Sequence, residues 1–536
     1  MSAQNLRFGI DAFTPEKISG WARLIDSEAP VDVALVVNGE AVGRLRADRF
    51  RTDLCKMRPD GRFAFMAMPF GDADWRPRVA EGAIVELRDA TTGETLRSVV
   101  WDGSAPKGQK GIVDSNGCRL SLNKGIFAVP MSERSDSWKQ SILSLAAEVA
   151  GDAARSGFQL AACYGTLLGA IREGDLIGHD DDVDMMFLSK EGSMLGAVED
   201  FHRLQAALAE VGYTVNELSN GQAHVSRGGG VAVDVFLGWF EQGRLSLTFT
   251  VKAQVEEAQI LPLGSIALRG VELPAPRNPE PLLEAIYGPG WKVPDPAFIW
   301  QRPREIAEYF APIHNYRRSA NVDYWRDYYG AQNSLLSPPR LPSQFALFAL
   351  SVRPVPGMII DLGCGSGRDT LFFAEQKIPT VGLDYAQTAI DANRRNAEER
   401  GLQVHAAFRR VDVSDLTDVA SAVGHVAATR PDAPLCVYSR FFFHAIDENT
   451  EGAALLLVSQ LLSREGDYAA FEFRTRADEH RQKVTPAHYR RYVDVDAFLR
   501  KAQSVYGLKC VYRVEGTGFA VFRDDDAEVV RLVLVK

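Results

Sequence analysis

Long apolar runs are missing from this chain: nowhere in its 536 residues is there a stretch near the roughly 18 apolar positions that a membrane-spanning helix needs. The opening MSAQNLRFG also lacks a basic region followed by an apolar one. Neither a leader nor a membrane span is expected, which limits membrane contact to a peripheral one at the inner face. Cysteine is scarce. The six, Cys55, Cys118, Cys163, Cys364, Cys436 and Cys510, stand without paired spacing, which excludes a disulfide framework and a thiolate zinc site and suits a reducing cytoplasm. Positive charge also runs short: 60 Lys and Arg face 70 Asp and Glu, a formal net charge of −10, which argues against nucleic acid as a partner.

An apolar content of 46% and a charged content of 24% are ordinary for globular protein, and the length exceeds what one core can serve. Changes of character along the chain divide it into residues 1–106, 107–318 and 319–536. The expected architecture is multidomain: an N-terminal β-sandwich, a central α+β nucleotidyltransferase-like domain and a C-terminal α/β Rossmann-like methyltransferase.

From Leu6 to Trp101 short apolar runs alternate with turn signals, Asn38-Gly39 and Thr92-Gly93 among them, as in antiparallel hairpins. Trp21 and Trp75 either stack on a sugar ring or pack in the core. APKGQK, Ala105 to Lys110, breaks the pattern and reads as a linker. A helix is expected from Asp136 to Ser156, capped by Ser135 or Asp136, and a second from Phe201 to Val211.

Between them lies CYGTLLGAIREGDLIGHDDDVDMMF, Cys163 to Phe187. Asp180, Asp181, Asp182 and Asp184 crowd into five positions ahead of an apolar run, a density of like charge that is costly without a counter-ion. In a strand, period-two alternation puts Asp182 and Asp184 on one face, the spacing of two monodentate ligands to a hard divalent cation, Mg²⁺ or Mn²⁺. Gly165-Thr166 offers a backbone N–H and a hydroxyl to a phosphate. Asp234 stands in the apolar run VAVDVF, as a ligand or a strand-end cap. Lys252 and Arg269 either meet a diphosphate or lie exposed.

Tyr164-Gly165-Thr166-Leu167-Leu168-Gly169, Arg172, His179-Asp180-Asp181-Asp182-Val183-Asp184, Asp234-Val235-Phe236 and Tyr287-Gly288-x-Gly290-Trp291 together resemble the LicD/fukutin family over about 110–310. That resemblance implies transfer of a phospho-alcohol from a CDP-linked donor to a glycan. It makes Asp182 and Asp184 metal ligands, Asp234 a third, Asp180 a nearby catalytic acid, and Gly165, Thr166 and Arg172 substrate-binding.

MIIDLGCGSGRD, Met358 to Asp369, is a buried strand running into Gly363-x-Gly365-x-Gly367 and a helix, a turn that lets a ligand approach the backbone. Asp361 ends this strand, Asp384 the next, and Asp412 follows a third. The spacing favours S-adenosylmethionine over a dinucleotide, and about 320–536 resembles the class I methyltransferases. By that resemblance Gly363, Gly365 and Gly367 line the cofactor, Asp384 binds its ribose, Asp412 faces its adenine and Asp361 caps the loop. Trp325, Tyr329, Gln344 and Phe345 are lid or packing residues.

Arg440, His444, Glu472 and Arg474 fall at the carboxyl ends of the next two strands, where open α/β sheets bind substrate. His444 is a general base or a packed histidine. Arg440, Arg474, Arg490 and Arg491 suit an anionic acceptor. The expected function is a bifunctional enzyme that decorates a surface glycan such as a capsule or O-antigen. Two alternatives are a nucleotidyltransferase that makes an activated, methylated CDP-alcohol, and a chain in which one domain is a non-catalytic glycan-binding module.

Overall fold

The computed structural model describes all residues except 1–4, 15–16, 28, 52, 55–56, 58–61, 68–78, 102, 104, 106–108, 115–116, 124–125, 229, 296–301, 315–340, 482–489 and 523–524. Trp75 and the lid candidates Trp325 and Tyr329 fall outside the described residues.

The N-terminal unit is two sheets sharing a core. One takes Leu6–Phe13, Ile18–Leu24, Arg62–Ala67 and Arg49–Phe50 in that spatial order; the other takes Ile126–Ala128, Arg119–Asn123, Glu40–Ala47, Val31–Val37, Ala83–Asp89 and Thr95–Trp101. Alternate residues turn inward, so Val33, Leu35, Val85 and Leu87 meet Ile18 and Phe65 between the sheets. Asn38 and Gly39 both have positive φ, 49° and 80°, the geometry of a two-residue hairpin turn. The unit runs past the boundary expected at 106. Leu122 pairs with Gly43, and a Cβ on Gly43 would stand 2.3 Å from that of Leu122. Glycine there lets the Arg119–Asn123 strand join the sheet, and Leu120, Leu122 and Phe127 complete its core.

The central sheet has the order Gln159–Ala162, Asp184–Ser189, Ala232–Glu241, Gln222–Ser226, Thr214–Ser219. Its middle pair is parallel, with Asp184 directly opposite Asp234. Helices Asp136–Arg155 and Met194–Glu210 cover it, the first capped by Ser135, whose Oγ accepts the N–H of Trp138 at 3.2 Å. The second begins seven residues before the expected Phe201, where the Ser193 hydroxyl caps it.

In the C-terminal domain the order is Ala406–Arg410, Thr380–Asp384, Met358–Leu362, Leu435–Arg440, Tyr468–Arg474, Val529–Val535, Lys509–Gly516. The first five are parallel. Val529–Val535 runs antiparallel to both of its neighbours. Strand order, not strand direction, reverses between the parallel neighbours Met358–Leu362 and Leu435–Arg440, the switch point at which such sheets bind ligands.

The two C-terminal domains share a core. Helices Arg304–Tyr309 and Ala311–His314 pack on Glu448–Leu461 and Val495–Tyr506, burying Phe310 and Ile313 in the same apolar cluster as Ala453 and Leu457. Gly452 sits at this junction, where a Cβ would lie 3.0 Å from the Tyr506 hydroxyl and 3.4 Å from Ala311 Cβ. Gly452→Leu is therefore expected to overpack it, at about 1–3 kcal/mol. Thermal unfolding should show a lower midpoint; an unchanged melting curve would contradict this tight seam.

Candidate active sites

The first site forms where the two parallel strands of the central sheet begin. Oxygens of Asp182, Asp184 and Asp234 all lie within 4.8 Å of one another, and those of Asp180, Asp181 and Asp182 form a second such group. Asp184 and Asp234 are buried. Asp182 precedes the strand but still turns to the same place as Asp184. Burial and the nearby acids act together here: burial, then the charges of Asp184, Asp182 and Asp234, push the Cys163 thiol well up. Burial followed by Asp184 and Asp180 does the same to the Tyr287 hydroxyl. An all-oxygen donor set in so negative a field fits a hard cation such as Mg²⁺ or Mn²⁺.

Gly165 and Thr166 have a different task from the one expected. The Gly165 N–H donates to Asp184 Oδ2 at 3.2 Å, and Thr166 Oγ1 accepts the N–H of Asp184 at 2.8 Å. Helix Tyr164–Arg172 starts directly against the strand end, so this pair orients an acid rather than reaching a phosphate. A Cβ on Gly165 would stand 1.9 Å from Asp180 Oδ2, so only glycine fits. Arg172 is largely buried, pairing with Glu173 at 2.7 Å and donating to the carbonyl of Trp291 at 3.4 Å. Lys252 pairs with Glu305, and Arg269 with Asp175 and Asp136, which commits both cations elsewhere.

The second site is the glycine loop at the switch point. Gly363, Gly365 and Gly367 have φ of 75°, 51° and 73°, open to glycine without strain. The Phe442 ring lies 2.6 Å from where a Cβ of Gly363 would be, and the Asn393 side chain 2.7 Å from that of Gly367. Asp384 accepts from the N–H groups of Gly365 and Ala386, each at 2.9 Å. Buried Asn393 donates to the Gly365 carbonyl at 2.8 Å. Asp412 accepts from Ser414 N and Oγ at 3.0 and 2.6 Å. Asp361 accepts from Thr370 Oγ1 at 2.6 Å, tying the strand to the helix beyond the loop. A second tie was not visible in the sequence: Asp369 accepts from Ser343 N, Ser343 Oγ and Tyr438 at 2.7–2.8 Å. Phe345 is buried in the core beside this tie, while Gln344 is exposed.

Several groups expected to meet the methyl acceptor are spent within the protein. Arg474 is buried between Asp478 and Asp525, each at 2.7 Å. Arg491 pairs with Glu451, which also holds Lys501. Glu472 is buried between Arg440 and Arg531, at 2.9 and 2.8 Å. A buried charge is tolerated only when paired, so Arg474 and Glu472 are taken up by their partners, while Arg491 is paired but keeps part of its side chain exposed. His444 is buried, and its Nδ1 accepts the Arg474 N–H at 3.2 Å, which removes that nitrogen from proton transfer. Arg440 remains partly exposed, its guanidinium 4.4 Å from the centre of the Phe441 ring.

Burial pushes the Asp361 carboxyl up to about 7, from an ordinary value of about 4. The folded state thus holds a proton that the unfolded chain releases, and stability falls as pH rises through that window. Asp361→Asn should flatten the fall between about pH 4 and 7. Equal slopes of melting temperature against pH for variant and parent would refute this.

Residues 157–278 match the family model described as LicD/FKTN/FKRP, nucleotidyltransferase domain, and residues 359–463 match a methyltransferase domain. Among curated proteins, a 2-heptyl-1-hydroxyquinolin-4(1H)-one methyltransferase of Mycobacteroides abscessus is 41% identical over 63 residues, 12% of this chain and 27% of that protein. The chain spans about a quarter of that relative's length. Among solved structures, a SAM-dependent methyltransferase from Anabaena variabilis is 17% identical, covering 41% of this chain and 96% of its own, with a TM-score of 0.30. The geranyl diphosphate C-methyltransferase of Streptomyces coelicolor is 13% identical, covering 41% and 99%, with a TM-score of 0.29. With the strand order and the glycine loop, the two matches give this chain a LicD/FKTN/FKRP nucleotidyltransferase domain over residues 157–278 and a Rossmann-like methyltransferase domain over residues 359–463, behind a strand-rich N-terminal unit.

Proposed function

We propose that this chain transfers a phospho-alcohol from a CDP-linked donor to a surface glycan and methylates the transferred group or the same glycan, working in the cytoplasm or peripherally at the membrane's inner face. The reading is carried by the convergence of Asp182, Asp184 and Asp234 at the ends of two parallel strands. No described helix is long and apolar enough to cross a membrane.

In the central domain Asp182, Asp184 and Asp234 would hold a divalent cation, with Asp180 beside them. Bound there, Mg²⁺ or Mn²⁺ supplies positive charge to the donor diphosphate and the departing CMP. Thr166 and Gly165 keep Asp184 turned inward while the glycan hydroxyl attacks in line at phosphorus, its new O–P bond forming as the bond to CMP breaks and its proton passing to solvent. Arg172, whose charge reaches Tyr287 beside the acids, would have to exchange its bonds to Glu173 and the Trp291 carbonyl to meet the donor.

In the C-terminal domain the glycine loop and Asp384 form the cofactor cradle, with Asp412 beyond the next strand and Phe442 against Gly363. S-adenosylmethionine supplies the methyl group. Arg440 lies at the carboxyl end of its strand, where its guanidinium suits an anionic acceptor oxygen. Such an oxygen is already ionised, so alignment rather than proton removal is what the protein contributes.

With a CDP-linked alcohol and a glycan acceptor, purified protein should release CMP only when Mg²⁺ or Mn²⁺ is present. Asp182→Ala should lower that release on the order of 100-fold or more, leaving methyl transfer intact, and Gly365→Arg should do the reverse. Pyrophosphate release from CTP and the phospho-alcohol would instead identify a maker of the activated donor. Unimpaired turnover by both variants would leave a binding module in place of an enzyme.

A further inference from the structure

Asp234 is held from the side opposite the other acids. Gln222–Ser226 runs antiparallel to Ala232–Glu241, with His224 directly across from Asp234 and Gln222 across from Phe236. Period-two alternation puts Gln222 and His224 on the face that Asp234 occupies. His224 Nε2 stands 3.0 Å from Asp234 Oδ1, and Gln222 Nε2 donates to Asp234 Oδ2 at 3.0 Å. On the other flank the Asp234 N–H donates to the Val183 carbonyl at 2.9 Å. Asp184, Asp234 and His224 therefore stand abreast on three neighbouring strands.

We propose that His224 and Gln222 are positioning residues that hold Asp234 toward Asp182 and Asp184 as the third ligand of one divalent cation. This inference rests on the metal-site reading given under Proposed function. A carboxylate has about four lone-pair sites, so with one taken on each oxygen, both oxygens keep another for a cation. Without the pair, repulsion from Asp184 and Asp182 would turn the Asp234 side chain away. Two donors on two oxygens fix both its torsions, and the His224 bond requires the proton on Nε2. His224 is half-exposed, with room for an exchange of side chain that leaves the core alone. Outer partners of this kind commonly change metal affinity by roughly 10–100-fold.

The alternative is a cross-strand polar pair that only stabilises the sheet, and metal affinity separates the two. Mn²⁺ titration of the full chain, followed by electron paramagnetic resonance of the free ion, needs neither donor nor acceptor. The parent should bind Mn²⁺ in a way that Asp184→Asn abolishes; if it does not, the metal-site reading itself fails. Given that binding, His224→Ala should weaken it by about 10-fold or more with an unchanged circular dichroism spectrum, and Gln222→Ala should weaken it less. His224→Gln, which restores an Nε2 donor, should recover most of the loss and also covers the case of an unfolded alanine variant. Parent-like Mn²⁺ affinity in both alanine variants, or no recovery with glutamine, would overturn the positioning role while leaving the metal site standing.

Discussion

Like charges forced together at the ends of two adjacent parallel strands are the constraint on which the central domain depends. Register places Asp184 opposite Asp234, and the approach to the first strand brings Asp182 alongside. Carboxylates this close and this buried repel unless a cation or hydrogen-bond donors offset them. The surrounding fold meets this with backbone and side-chain donors. The Gly165 N–H donates to the Asp184 carboxylate and Gln222 and His224 hold that of Asp234, while Thr166 Oγ1 fixes the backbone N–H of Asp184 and the Met131 N–H anchors the backbone carbonyl of Asp180 at 2.6 Å. A helix start, a neighbouring strand and a turn ahead of the first helix thereby converge on one spot.

The methyltransferase domain spends its charges differently. Arg474, Arg491, Lys501 and Arg531 face inward on Asp478, Asp525, Glu451 and Glu472. Removing one partner of such a pair would strand a buried charge, which costs far more than the pair contributes. These ties lock the ends of Tyr468–Arg474 and the helices over it, and Arg440, paired with Glu472, keeps a partly exposed guanidinium at the carboxyl end of its own strand. Rigidity around the cofactor cradle is what an in-line transfer requires, since alignment is the main thing the protein supplies.

Between the domains, helices Arg304–Tyr309 and Ala311–His314 make one apolar cluster of what composition suggested were two. The Ile313 carbonyl accepts the Asn220 N–H at 3.2 Å, close to the strand that carries Gln222 and His224. The Tyr506 hydroxyl reaches the Glu308 carbonyl from the methyltransferase side. The two domains thus share buried apolar surface rather than meeting through a bare linker.

Much was legible from residues alone. The acid cluster, the glycine loop with Asp361 and Asp384, the capped helix at Asp136, and the hairpin at Asn38-Gly39 are short-range patterns. Each is set by local dihedral preference, capping or alternation, which act within a few residues and so show in the order of amino acids. Which partner each charged or polar group takes was not legible. Arg474 and Glu472 looked like substrate ligands because position at a strand end is local information, whereas Asp525 and Arg531 reach them only through the antiparallel return of Val529–Val535 and the residues before it. Gly165 and Thr166 looked like a phosphate site until the strand end they touch was known. His224 drew no notice in GQAHVS, though Gln222 and His224 alternate there on one face. Chain order determined which chemical groups are present and the local form of their segments. Only the long-range pairing of strands decided which of them meet, because a side chain's hydrogen bonds go to whatever donor or acceptor the fold brings within about 3 Å.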